Sequence, residues 1–401
     1  MASPVADTYS AASGVPVYGG RYPLGGRLSG EALLSGLLAE GGMAAQASEL
    51  AGEAVLSGVT AGGGMAAFDP PAWRSGATPL QWTAISGTVG PTFGLNTDAF
   101  GSLVLVPAAK LVSVADGGHG DGNSNAAAAL DLSLDSPSWV LLRASTWNGT
   151  EADVERYADG SPPSRHTYYG SHYDAALNAI VLVGMRFGWG GATPVAPDVD
   201  VFSLDTNEYL PRYTWPALTP WPASNYGNSQ DLSGNIWTRA GYKLDRGTLT
   251  WSKPGTGFPL NFNALNTATG KIFSLQCGSG EDGGAGITAN LFDPDTGNSV
   301  AISFNSSAAL TAFAAARPAY GWMTYCTADG KFYYAAPGDL NNLYVITPNG
   351  GTTWDMARQA VGGVTLTNTT PLSKRFHWVP ALQCFVVQTL RTNNLHFFTL
   401  G

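Results

Sequence analysis

The sequence predicts an all-β chain: a six- or seven-bladed β-propeller preceded by a small Gly/Ala-rich repeat region. Three observations carry this expectation. Gly accounts for 51 of 401 residues, aromatic residues for 11 % and charged residues for only 12 %, the balance of a turn-rich strand protein. From about residue 80 a pattern recurs: an apolar strand ends in a Gly-rich turn, a second strand ends in a polar turn, and a Trp or other large apolar residue opens a last strand. The polar turn markers Asp131, Asp205, Asp245, Asp293, Thr347 and Thr399 are separated by 74, 40, 48, 54 and 52 residues, close to the roughly 40–50 residues of a four-stranded propeller blade.

The elements follow in chain order. Residues 28–45, LSGEALLSGLLAEGGMAA, recur at 50–67 as LAGEAVLSGVTAGGGMAA, with 13 of 18 positions identical at an offset of 22. Two such short units bury too little to stand alone, so residues 1–67 are expected to form an attachment region. Glu31, Met43, Glu53 and Met65, repeated in both copies, are its candidate anchoring residues. Helical spacing in EALLSGLLAE competes with short strands there, and the internal glycines favour strands. Residues 68–79 are Pro/Gly-rich and read as a linker. The propeller is expected over 80–401. The 74-residue gap leaves room for a seventh, poorly marked blade. The last copy ends on its third strand, and PLQWTAIS at 79–86 is the candidate for its missing outer strand, a closure that hides an open edge.

Charge and cysteine usage narrow the function. A net charge of −9 without clustered Lys/Arg argues against a nucleic-acid surface. No 18-residue apolar stretch calls for a membrane span. MASPVADTYS has neither the basic nor the apolar region of a signal peptide. Cys277, Cys326 and Cys384 lie far apart in apolar runs and read as buried free thiols; no metal and no cofactor is expected.

The paired glycines Gly117–Gly118, Gly190–Gly191 and Gly283–Gly284, with Leu-Asp and Trp or Tyr downstream, resemble kelch-type blades. SRHTYYGSHYDAALNAIVLVG and RFHWVPALQCFVVQT resemble kelch-like propellers of secreted bacterial and phage-encoded proteins. The LSG…GGMAA units resemble phage tail or fibre modules. Some propellers of this family are polysaccharide lyases, and the resemblance implies a His or Tyr base with a cation over the uronate carboxylate. Here His119 or His166 would be the base, Tyr169 the acid and Arg186 the neutraliser. The copper oxidases of kelch type need a Tyr–Cys pair, which the late, strand-borne cysteines do not offer.

Asp121, Arg165, His172 and Trp189, together with aromatic residues dense between 147 and 226, are candidate ligand contacts, since sugar recognition uses aromatic faces and a few orienting polar groups. Blade packing is the competing reading for the aromatics, as is tying neighbouring blades for Arg165–His166. His377 and His396 read as structural, and DPDTGN at 293–298 as a hairpin turn.

The expectation that follows is a phage virion protein made in the host cytoplasm. Its N-terminal repeats would bind other virion proteins, and its propeller would be displayed, oligomeric or multivalent, toward a host-surface glycan or protein. A glycan-degrading enzyme and a cytoplasmic interaction propeller are the alternatives.

Overall fold

A computed structural model describes residues 70–90, 101–115, 124–147, 156–165, 169–183, 199–212, 214–218, 228–256, 262–277, 286–316, 318, 320–367, 372 and 374–401. The N-terminal repeats, with Glu31, Met43, Glu53 and Met65, lie outside them.

Six sheets, each a four-stranded antiparallel blade and two of them extended by a short parallel strand, make a six-bladed β-propeller. Strand β1 is Gln81–Ala84. Blade 1 contains β2 (Val104–Val106), β3 (Lys110–Val114), β4 (Ala127–Asp131) and β5 (Trp139–Arg143). Blade 2 contains β6 (Ser171–Asp174), β7 (Ala179–Val183), β8 (Val199–Ser203) and β9 (Glu208–Tyr209). Blade 3 contains β10 (Asn228–Gln230), β11 (Ile236–Thr238), β12 (Lys243–Asp245) and β13 (Thr250–Ser252). Blade 4 contains β14 (Phe262–Asn266), β15 (Lys271–Cys277), β16 (Ile287–Asp293) and β17 (Asn298–Ala301). Blade 5 contains β19 (Trp322–Cys326), β20 (Lys331–Ala335), β21 (Asn342–Thr347) and β22 (Thr353–Ala360), with β18 (Ser303–Phe304) added in parallel to β22. Blade 6 contains β24 (Phe376–Val379), β25 (Cys384–Val387) and β26 (His396–Phe398), completed by β1.

Every turn marker read from the sequence stands at, or one or two residues beyond, the end of a blade's third strand. The 74-residue gap is filled by a long connection, 144–170, and among the described residues it contains no further sheet.

Closure of the ring follows the expectation from 79–86. β1 pairs antiparallel with β26 through Thr83–Phe397 and Ala84–His396. Trp82, 1 % exposed, packs edge-on against Phe398 at 4.7 Å and donates its indole N–H to the Leu340 carbonyl at 2.9 Å. A two-residue strand, β23 (Gly362–Gly363), adds in parallel to the outer side of β1. Gly363 has φ 77°, and a Cβ there would strike the Trp82 backbone; only glycine lets this strap lie so close.

The outermost strand of each blade is its least buried. In blade 4, β14 is almost wholly buried while β17 is mostly exposed. In blade 2 both β7 and β8 are buried at every position. The hydrophobic clusters are therefore the seams between blades, such as Val104, Val112 and Val114 against Ile180 and Phe202. The helix α1 (Ala308–Ala316) lies between blades 4 and 5 in the chain. Ser307 caps it by accepting the Leu310 N–H at 3.0 Å, and Phe313 drives its ring edge-on toward Tyr334 and Tyr344.

The two ends of the propeller differ. In an antiparallel blade the first and third connections leave one end, and the second connection and the link to the next blade leave the other. The first connections are tight: 107–109, 175–178, 231–235, 267–270, 327–330 and 380–383. Segment 294–297, read as a hairpin turn, is a tight third connection. The long ones, 115–126, 184–198, 278–286, 144–170, 210–227, 302–321 and 361–375, all depart from the opposite end. Among the described residues no helix is long and apolar enough to cross a membrane.

Candidate functional site

Ser171 and His172 open the innermost strand of blade 2, and Lys374 lies just before the innermost strand of blade 6. Both positions stand at the end from which the long connections leave. Lys374 has φ 48°, and its carbonyl accepts the Leu103 N–H at 3.2 Å. Its Nζ donates to the Ser171 carbonyl at 2.6 Å, lies 3.3 Å from His172 Nδ1 and sits 6.0 Å from the centre of the Trp322 ring. Ser102 Oγ donates to Ser171 Oγ at 2.9 Å. His377 Nε2 donates to the carbonyls of Lys374 at 2.7 Å and Leu103 at 3.0 Å. Groups of blades 2 and 5 thus meet at the amine of Lys374, while Ser102 and Leu103, just before blade 1, bond to its neighbours Ser171 and His377.

Its surroundings set its protonation. Lys374 keeps partial exposure as a residue, but burial of its amine lowers the pKa from 10.5 to about 7. His172 is held well below its ordinary value by burial first and by the charge of Lys374 second. Burial brings His377 down to about 4, against the opposing bonds to the Lys374 and Leu103 backbones. At neutral pH both imidazoles are neutral, while Lys374 is divided between ammonium and free amine. With Nδ1 accepting from the ammonium, His172 carries its proton on Nε2, a buried atom with no partner among the described residues. A partly unprotonated amine is a competent base and nucleophile.

The other residues singled out from the sequence take several places. Arg165 is 1 % exposed; it pairs with Asp200, donates to the Leu182 carbonyl at 3.2 Å and hydrogen-bonds by its backbone to Ala115 at 2.9 Å. Arg156 joins the same carboxylate at 2.6 Å. Arg165 thereby ties blade 1 to blade 2, the structural role weighed for it. Tyr169 is fully buried, stacked on Trp322 at 5.1 Å and edge-on to Phe262 at 5.9 Å; its ring belongs to the core beneath the Lys374 cluster. His119, Asp121, His166, Arg186 and Trp189 lie outside the described residues. Of the described Trp and Tyr residues in the dense 147–226 stretch, only Trp147 is exposed, and Tyr157, Tyr169 and Trp215 are buried. Cys326 and Cys384 are free and buried, and burial pushes both thiols up to about 12; the side chain of Cys277 is outside the description. Among the described residues no group of His, Cys, Asp or Glu gathers as a metal site would require.

The sequence reading missed Lys374. The available signal was a Lys-Arg pair directly before the inner-strand run FHWV, in a chain poor in charge.

Searches by sequence against protein families and curated proteins find no match. By structure the chain is similar to a chain of a mitotic checkpoint complex, at 10 % identity over 81 % of this chain and 93 % of that one, TM-score 0.43. It is similar to a fungal alcohol oxidase of the AA5 family in complex with copper, at 12 % identity over 75 % and 62 %, TM-score 0.45. It is also similar to the Myceliophteria thermophila Cps50 (Swd1) β-propeller domain, at 11 % identity over 77 % and 99 %, TM-score 0.41. These likenesses concern the fold alone.

Proposed function

We propose that this chain is a kelch-type display protein of a phage particle. Its propeller presents the long-loop end to a host-surface glycan, and the duplicated units before residue 68 attach it to other virion proteins. The observation that supports this reading is the one-sidedness of the propeller: tight turns at one end, long connections at the other. Rigid scaffolds with all their long loops on one face are built for recognition. The attachment half rests on the 22-residue duplication, which is too small to bury a core of its own. Several copies on a symmetric particle turn weak single contacts into avidity.

The test is particle association together with glycan capture. A tagged full chain should co-sediment with virions, while a chain starting near residue 70 should not, yet should still bind glycan. Equal co-sedimentation of both places the attachment in the propeller, and co-sedimentation of neither overturns the virion role.

A glycan-degrading enzyme is the second reading, favoured by one feature: an amine with a pKa of about 7 beside two neutral imidazoles. Elimination from an acidic polysaccharide would raise ultraviolet absorbance as unsaturated uronate ends form, and Lys374→Met would abolish the rise.

A further inference from the structure

We propose that blade 6 carries a subsite for an uncharged saccharide, in a cavity between the 389–394 loop and the strap at 364–367; this rests on the glycan reading above. The cavity has a volume of about 350 Å³, at the lower end of the roughly 300–1,000 Å³ of small-molecule sites. It opens at the same end of the propeller as the Lys374 cluster. β1 and β26 contribute Ala84 and His396 to its wall.

The lining decides the ligand class. Thr365, Thr367, Thr389, Thr392, Asn393 and Asn394 supply hydroxyls and amides, groups that both donate and accept and so match vicinal sugar hydroxyls. Val89 and Val364, 48 % and 45 % exposed, form an apolar rim suited to the C–H face of a pyranose ring. Among the described residues no Asp, Glu, Lys or Arg lines the cavity. A uronate or an amine entering it would lose water with no countercharge to replace it. His396 does not change this: burial lowers its pKa, against the raising influence of the Asn394 backbone, and leaves the ring neutral at pH 7.

His396 stands in the cavity wall. It is 8 % exposed, and its Nδ1 is buried with no hydrogen-bond partner among the described residues.

The walls are fixed before any ligand arrives. Gly90 N–H donates to the Arg391 carbonyl at 2.6 Å, and a Cβ on Gly90 would come within 2.8 Å of that residue's backbone. Leu395 N–H donates to Thr88 Oγ1 at 2.8 Å, and Thr88 N–H to Asn394 Oδ1 at 3.1 Å. On the other side Val364 N–H donates to the Trp82 carbonyl at 3.0 Å, and Leu366 N–H to Asn341 Oδ1 at 3.3 Å. Such preorganisation removes the ordering cost of binding.

The test uses the full chain and saturation-transfer NMR with maltotriose, mannotriose, galactotriose and chitotriose, with trigalacturonate as the charged comparison. At least one neutral trisaccharide should bind, and trigalacturonate should not displace it. Val364→Asp, at an exposed position that leaves the fold intact, and His396→Ala should each weaken binding by about tenfold or more, the equivalent of losing one good polar contact. Neutral-sugar binding undiminished in both variants overturns the subsite and leaves the glycan reading standing. Displacement by trigalacturonate overturns the chemistry assigned to the cavity. Absence of any sugar binding overturns the subsite and the glycan reading together.

Discussion

Blades 4, 5 and 6 are joined by aromatic rings; blades 1, 2 and 3 are joined by aliphatic side chains and buried charges. In the first half one continuous cluster runs through Phe262, Phe273, Phe332, Tyr334, Trp378 and Phe385. Phe385 alone touches Phe376, Phe398, Trp378 and Tyr333 at centroid distances of 4.5–5.5 Å. In the second half the seams are small patches of Val, Ile, Leu and Ala with few rings. Carboxylates at 2 % side-chain exposure are stationed beside them: Asp200 with Arg156 and Arg165, and Asp174 with Arg246. The ion pairs of the aromatic half, such as Lys271–Asp293 and Arg358–Asp339, are only half-buried and reach solvent. Rings fill a seam by the large area each one buries. Aliphatic seams leave register to be set by directional contacts, and a buried ion pair sets register at a desolvation cost.

The largest expected effect tests the aromatic half at its closure. A chain starting at residue 87 lacks β1 and Trp82 and should lose cooperative thermal unfolding by circular dichroism. A chain starting at 71 keeps both, as well as Trp73, which donates to the Leu132 carbonyl at 3.1 Å, and should unfold like the full propeller. Equal melting of the two would mean that closure contributes nothing.

Next come the two kinds of seam. Asp200→Ala strands two guanidiniums and should cost about 3–5 kcal/mol in urea unfolding. Phe385→Ala should cost a similar 3–5 kcal/mol or so by leaving a cavity. The halves part on rescue: Arg156→Met and Arg165→Met combined with Asp200→Leu should recover most of the loss, because matched apolar replacement of a whole buried ion cluster is often neutral or better. Failure of that rescue would show that the charges do more than set register.

Acid should loosen the Lys374 cluster at the meeting of the halves. His377 titrates at about 4 when folded and at 6.5 when unfolded, so the unfolded chain binds more protons in this window. Stability is therefore present above pH 6.5 and lost as pH falls toward 4, by up to about 3 kcal/mol for a shift of this size. His172 and His396 are shifted in the same direction. Lys374, folded value about 7 against 10.5, acts higher: stability should rise as pH climbs from 7 toward 10.5, and Lys374→Met should flatten that rise. Denaturation midpoints across pH measure both. The smallest effect is at the surface: Arg358→Ala breaks the 2.6 Å pair with Asp339 but should cost less than about 1 kcal/mol, since both groups are solvated.

The blades were legible because each repeats a local event, a polar turn after a third strand, that six markers record independently. The closing strand was legible because the last copy ran out of chain. The Lys374 cluster was not, since Ser171 and His172 reach it from some 200 residues away and the lysine carries no motif. Arg165 was noticed, but its partner Asp200 lies in VDVFS, where a carboxylate within a buried strand gives no sign of the guanidinium it meets. The blade 6 cavity is built from threonines and asparagines that read as ordinary loop residues until two distant loops face each other.

Ring closure by β1 has a consequence in time. Leu395 bonds to Thr88 across 307 residues, and β1 pairs with β26 beside that bond. The strand synthesised first among the propeller's elements is thus the last to find its partner. While the ribosome completes the intervening blades, Gln81–Ala84 waits with Trp82 unburied and its edge unpaired. Long-range pairing of this kind delays the final step of folding until nearly the whole chain has emerged. A nascent propeller interrupted before residue 396 is therefore an open arc with two sticky ends, prone to join a second arc before its own missing blade arrives.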